Sequence, residues 1–161
     1  MALKKPICIY SGQLAQIAST DTLDVPGIAA GDVVVLTNDE SSPIVIGAPV
    51  YMDSADGVKK AKADATGTKN VIGLVKDASI TNGTTGGIQV NGVLTATTTQ
   101  WDAVFGTTGG LTFNTRYYLS QTTAGIGSSV APSTVGQFVV PLGIALSTTE
   151  LSLDDFKPIG L

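Results

Sequence analysis

Histidine is missing from all 161 positions. Its absence excludes Ser-His-Asp and Cys-His nucleophilic relays, and it removes the side chain that titrates near neutrality and serves as the commonest metal ligand. Cysteine is reduced to Cys8, so no disulfide can form within one chain and no thiolate cluster exists to hold a metal. Lys and Arg number 9 against 13 Asp and Glu, a formal net charge of −4. That balance has the wrong sign for a surface that neutralises nucleic-acid phosphates. No apolar run approaches the eighteen or so residues of a membrane span, and Met1-Ala2-Leu3-Lys4-Lys5-Pro6 lacks the apolar core of a signal peptide. The expectation is a non-enzymatic protein without cofactor, nucleic-acid or membrane partner, kept in the cytoplasm or carried out of it inside something larger.

Charge is also unevenly spread. Between Asp77 and Glu150 the only charged side chains are Asp102 and Arg116. A surface so poor in charge and rich in Thr, Ser and Gly fits a plain β-protein exterior, and it also fits a face covered by other subunits, because interface cores are depleted in charge.

What is present is 43% hydrophobic residues and 19 glycines, arranged as short β-branched and aromatic runs between turn residues. Runs at 71–75, 79–80, 88–90, 117–119, 138–140 and 151–153 read as strands. Pro26-Gly27, Asp56-Gly57, Asn82-Gly83 and Asn91-Gly92 read as turns, with Asp56-Gly57 supplying a positive φ to a hairpin. Residues 21–31 read as a strand end and a loop. The all-apolar run 33–36 predicts a strand buried on both faces, paired as a hairpin with 44–46 across the polar turn at 38–43. The single basic cluster, Lys59, Lys60 and Lys62, falls on a strand with Lys59 on the face opposite the other two.

Gly47-Ala48-Pro49-Val50-Tyr51-Met52-Asp53 has the same shape as Asn114-Thr115-Arg116-Tyr117-Tyr118-Leu119-Ser120. Gly73-Leu74-Val75 answers Gly143-Ile144-Ala145. The pattern predicts a duplicated strand unit, with a third partial copy at 31–37. One helical turn is expected near 98–105, capped by a Thr and stopped by Gly106, with Trp101, Val104 and Phe105 on one face able to plug an open barrel end. The expected fold is therefore all-β, a small β-barrel or β-sandwich. Its expected units are residues 1–19 (an N-terminal arm or first strand), 20–96 and 97–161, with the last two also readable as one continuous β domain.

At the N-terminus, Ile7 and Ile9 alternate with Cys8 and Tyr10. The segment reads as the first strand of the chain's own sheet, and it fits as well an arm that pairs with a neighbour's sheet edge. Lys4, Lys5, Ile7, Ile9 and Tyr10 are the candidate contact residues toward another subunit or a larger assembly.

Other chemistry is thin. The glycine loops 82–87 and 106–110 lack the Lys-Ser/Thr and following helix of a phosphate cradle. Asp53 with Asp56, and Asp154 with Asp155, do not reproduce the ligand spacing of a calcium loop. Tyr10, Tyr51, Tyr117, Tyr118 and Trp101 are either sugar platforms or, as aromatic burial favours, fillers of strand pairs and barrel ends.

Several segments together carry a resemblance: 100–104 (QWDAV), 109–112 (GGLT), 116–120 (RYYLS), 125–126, 131–133 (APS) and 137–147 (QFVVPLGIALS). In that order they resemble a segment recurring in structural proteins of tailed bacteriophages, fibre-type proteins included, with Asn114 where many such segments have Gly. Upstream, 29–34 (AAGDVV) and 47–51 (GAPVY) are similar to small all-β capsid decoration (cement) proteins. The resemblance implies a virion protein on the outer capsid surface, present in the host cytoplasm during assembly. Its implied partner is the major capsid protein; the charge-poor stretch adds self-association, expected as a homotrimer because icosahedral shells offer three-fold and quasi-three-fold sites. The alternative the resemblance leaves open is a fibre-associated or receptor-binding, carbohydrate-recognising module.

Overall fold

The computed structural model describes the backbone of residues 7–10 and 13–16, and residues 32–64 and 67–161 in full. Lys4, Lys5 and the expected loop at 21–31 lie outside the described residues. In chain order the strands are β1 (Ile7–Tyr10), β2 (Gln13–Gln16), β3 (Val33–Asn38), β4 (Ile44–Val45), β5 (Pro49–Met52), β6 (Gly57–Lys60), β7 (Val71–Val75), β8 (Ser79–Ile80), β9 (Thr85–Gln89) and β10 (Val93–Thr95). The helix α1 (Thr98–Phe105) follows, then β11 (Arg116–Leu119), β12 (Gly127–Ser128), β13 (Phe138–Val139), β14 (Pro141–Ala145), β15 (Glu150–Leu153) and β16 (Ile159–Gly160).

The chain is all-β with one short helix, as expected. Strands β3-β6-β5-β7-β9 close a barrel, and β10-β15-β14-β11-β12 form an open five-stranded sheet; β1-β2, β4-β8 and β13-β16 are two-stranded.

The expected duplication is present in the register. In the barrel Pro49 pairs with Leu74, Val50 with Gly73 and, past a bulge, Tyr51 with Val71. In the open sheet Arg116 pairs with Ile144, Tyr117 with Gly143 and, past a bulge, Tyr118 with Pro141. The two pairings superpose residue for residue on the sequence match, bulge included. Gly47 and Asn114, which open the two copies, both take positive φ (80° and 59°), a conformation that Gly adopts freely and Asn tolerates. The amides of both donate equivalently, Gly47 to the Val75 carbonyl and Asn114 to that of Ala145.

Extending the equivalence outward, β9 pairs with β7 as β15 pairs with β14, and β3 lies on β9 as β10 lies on β15. Strand β3 thus corresponds to β10, not to β5 and β11, which overturns the reading of 31–37 as a third copy. The short β pattern was matched, but pairing partners rather than composition decide equivalence.

The copies differ where the barrel closes. β3 runs on to Thr37 and Asn38, which pair in parallel with Gly57 and Val58 of β6. At the position equivalent to Thr37 the second copy has Thr97, and there the strand stops. The Thr97 side chain accepts from the Gln100 amide while the Gln100 side chain accepts from the Thr97 amide, a capping box that starts α1. Gly106 at φ 64° ends it. The helix lays Trp101, Val104 and Phe105 inward and occupies the opening that β10 and β12 leave unclosed. Gly127 of β12 has no room for a Cβ because the Phe105 ring lies against it.

Three further expectations fail. Residues 33–36 do not form a hairpin with 44–46, since β3 takes β9 and β6 while Ile44 pairs with Ile80 and Val45 with Ser79. The polar turn is held instead by buried Asn38, whose side-chain amide donates to the Ile80 and Ser42 carbonyls and whose Oδ1 accepts from the Glu40 amide. Val33, Val34 and Val35 are exposed, Val35 to 68%; successive strand side chains point to opposite faces, so among the described residues neither face of this stretch is covered. Gly57 is an ordinary strand residue with no positive φ; glycine stands there because a Cβ would collide with the Asp39 carboxylate and Ser54 hydroxyl.

One core cluster joins the two sheets, from Ile46, Ala61, Ala63, Val71 and Leu74 on the barrel side to Leu94, Trp101, Tyr117, Leu142 and Leu151 on the other. A second, smaller cluster fills the barrel with Val50, Val58, Val75, Ile80 and Ile88.

Candidate interaction surface

Of the predicted contact residues, Ile7, Ile9 and Tyr10 lie in β1, whose described backbone pairs with β2. Lys4 and Lys5 lie outside the described residues.

Four of the acidic side chains form ion pairs within the chain. Asp53 pairs with Lys59 and Asp64 with Lys62 at 2.6 and 2.7 Å, Asp155 with Lys157 at 3.2 Å, and Asp154 with Arg116. Among the described residues no group of three or more Cys, Asp or Glu is placed to hold a metal ion. The glycine loop after α1 is already filled by an anion of its own: Asp102 accepts from the Thr107 hydroxyl (2.7 Å), the Gly110 amide (2.8 Å) and the Gly109 amide (3.0 Å). With those donors taken by a carboxylate, the loop offers no phosphate cradle. In the other loop the Gly87 amide donates to Asp77 and the Gly83 amide to the Asn38 carbonyl.

The Thr107 hydroxyl and then the Gly110 amide hold the Asp102 carboxyl below its ordinary value; burial opposes them, and the Gly109 amide adds a smaller lowering. A depressed folded-state pKa contributes stability that is complete above the unfolded value of about 3.9 and is lost as pH falls through the lower folded value. Asp102→Asn is therefore expected to lower the melting temperature at pH 7, and the gap from the parent should close as the melts are repeated below about pH 4. A gap independent of pH would contradict the role given to the carboxylate.

The aromatics divide sharply. Trp101 and Tyr117 are buried, with the Trp101 indole N–H donating to the Thr149 carbonyl (2.9 Å) and the Tyr117 hydroxyl accepting from the Thr112 amide (3.0 Å). Phe105 lies between them, with ring centroids 5.4 Å from Trp101 and 4.6 Å from Tyr117. Neither Trp101 nor Tyr117 can serve as a sugar platform. Phe113 is the opposite case, 73% exposed.

The stretch 78–149 thus contributes little free charge of its own to the surface, although Lys69 from outside it lies over the Phe138 ring and the Lys60 side chain lies against Gly125. Its two charged groups are bound internally, Asp102 by the loop and Arg116 by Asp154, while Phe113, Val130, Val135, Val93 and Leu146 are exposed. The loss of free charge depends on the two tertiary contacts, so composition pointed to this surface without showing that its last two charges were spoken for. No family model matches the chain, and no curated protein does. No helix among the described residues is long and apolar enough to cross a membrane.

Proposed function

We propose that this chain is a virion structural protein, a capsid decoration protein that binds the outside of an assembled phage head and stabilises it without making or breaking covalent bonds. The observation that carries the reading is the charge-poor stretch 78–149, whose Phe113, Leu146, Val130 and Val135 are exposed. Large apolar side chains left exposed suit a contact surface, and depletion of charge is the compositional mark of interface cores. The resemblance of 29–34 and 47–51 to capsid decoration proteins, with the phage-protein resemblance of 100–147, supplies the partner: the major capsid protein, with the chain itself as a cyclic homotrimer matched to the three-fold positions of an icosahedral lattice. A ligand that binds only the assembled lattice stabilises it by mass action, multiplied over many copies.

The test is direct. Purified protein mixed with expanded, undecorated heads is expected to bind saturably at a fixed stoichiometry and to raise the temperature at which the heads disrupt. A chain that stays monomeric at high micromolar concentration and leaves the disruption temperature unchanged would end this reading.

A fibre-associated, carbohydrate-recognising module is the second reading, favoured by one recess of about 220 Å³ lined by Leu119, Ser120, Gln121, Thr122, Ser128 and Pro132 among others. The Gln121 Oε1 is buried without a hydrogen-bond partner, an acceptor that a sugar hydroxyl can satisfy. Retention on immobilised host glycans, lost in Gln121→Leu, with a few to tens of copies per particle rather than hundreds, would favour that module.

A further inference from the structure

The outer edge of β3 is open over residues 33–36. Strand β9 takes one edge of β3 along 33–37, whereas β6 reaches the other edge only at Thr37 and Asn38. The Val90 amide donates to the Asp32 carbonyl and the Asn38 amide to the Thr84 carbonyl. In an antiparallel ladder this alternation turns the backbone groups of Val34 and Leu36 toward β9 and those of Val33 and Val35 away from it. The same outward direction at Thr37 is taken up by its bond to the Asp56 carbonyl; at Val33 and Val35 no described strand lies there. Strand β3 also carries none of the charges, prolines or bulges that usually blunt an edge.

A second unpaired element is the hairpin at the other end of the segment 17–31. Among the described residues β1 and β2 pair only with each other, and a lone two-stranded hairpin is marginal in water. Neither strand carries a charge. Strand β1 has four residues, the length of the open stretch of β3. Residues 17–31 can span up to roughly 50 Å when extended, enough to cross a subunit contact.

We propose that the β1–β2 hairpin of one copy adds to the open β3 edge of a second copy of this chain, extending its barrel wall by strand addition. The occupant is a second copy because strand β1 and the open stretch of β3 match in length at four residues and neither carries a charge. Each chain also supplies one edge and one hairpin, so a head-to-tail ring satisfies every one of them. The proposal rests on the self-association part of the function proposed above and does not depend on the shell.

Cys8 lies in β1 and is the only cysteine, so Val33→Cys, Val34→Cys and Val35→Cys each introduce one partner for it. After mild oxidation of the full chain, at least one of the three is expected to give cross-linked dimers and larger species on a non-reducing gel, abolished when Cys8→Ser is added. A link confined to one chain would show the hairpin folding back on its own barrel and overturn the proposal. Dimers that survive Cys8→Ser would show β3 pairing with β3 and overturn it equally, as would no link in any variant. Val35→Pro, which removes an outward amide that an edge strand can spare, is expected to weaken association at least tenfold in sedimentation equilibrium. An oligomer of undiminished strength in Val35→Pro, with no cross-links, sinks strand addition and leaves the oligomer standing; a chain monomeric throughout sinks both.

Discussion

Trp101→Ala is expected to lower the unfolding free energy by about 3–5 kcal/mol, the range for removing a large aromatic from a packed interior. For a domain of this size the melting temperature should fall by on the order of 10 °C. The indole is fully buried, it packs against the tilted ring of Phe105, and its N–H is the partner of the Thr149 carbonyl just before β15. It also abuts Gly47, where a Cβ would come within 2.8 Å of the ring, so one side chain ties the helix of the second copy to the turn that opens β5 in the first. Trp101→Phe keeps most of the apolar area and loses the indole donor, and it should recover more than half of the loss. Urea denaturation of the three proteins measures this; a loss below about 1 kcal/mol for Trp101→Ala would show that the opening left by β10 and β12 does not need its plug.

Gly143→Ala and Gly73→Ala are expected to cost about 3 kcal/mol or more each, the upper end of overpacking effects. Both glycines are extended, so φ is not the reason for them. A Cβ at Gly143 would collide with the Ser152 carbonyl oxygen, and one at Gly73 with the Gln89 carbonyl oxygen. Those oxygens belong to β15 and β9, the equivalent neighbours in the two copies, and a backbone atom cannot rotate away as a side chain does. Relief requires the two strands to part, which weakens the ladder on both sides of the contact. Gly160→Ala is the control, with its nearest atom at 3.8 Å, and should change stability by no more than about 0.5 kcal/mol. Equal effects at all three positions would mean that the close approach is not what those glycines serve.

The duplication was legible because its marks are local: an opener suited to positive φ, a β-rich triplet and a glycine at the point of close approach, all recurring in the same order. The helix was legible for the same reason, since Thr97, Gln100 and Gly106 act within a few residues of one another. The candidate surface was legible only as composition, a long stretch with two charges.

The sequence by itself determined the all-β class, the recurrence of the 47–53 pattern at 114–120 and of 73–75 at 143–145, and the start and stop of α1. Each of these depends on backbone preferences or on side chains close along the chain. Only the tertiary structure decided that the first copy closes into a barrel while the second stays open around α1. It also decided that β3 seeks β9 and β6 rather than its neighbour β4, that three consecutive valines stand exposed, and that Asp102 and Arg116 are spent internally. These outcomes rest on which strand lies beside which, and an apolar run reads the same along the chain whether or not a second layer comes to cover it.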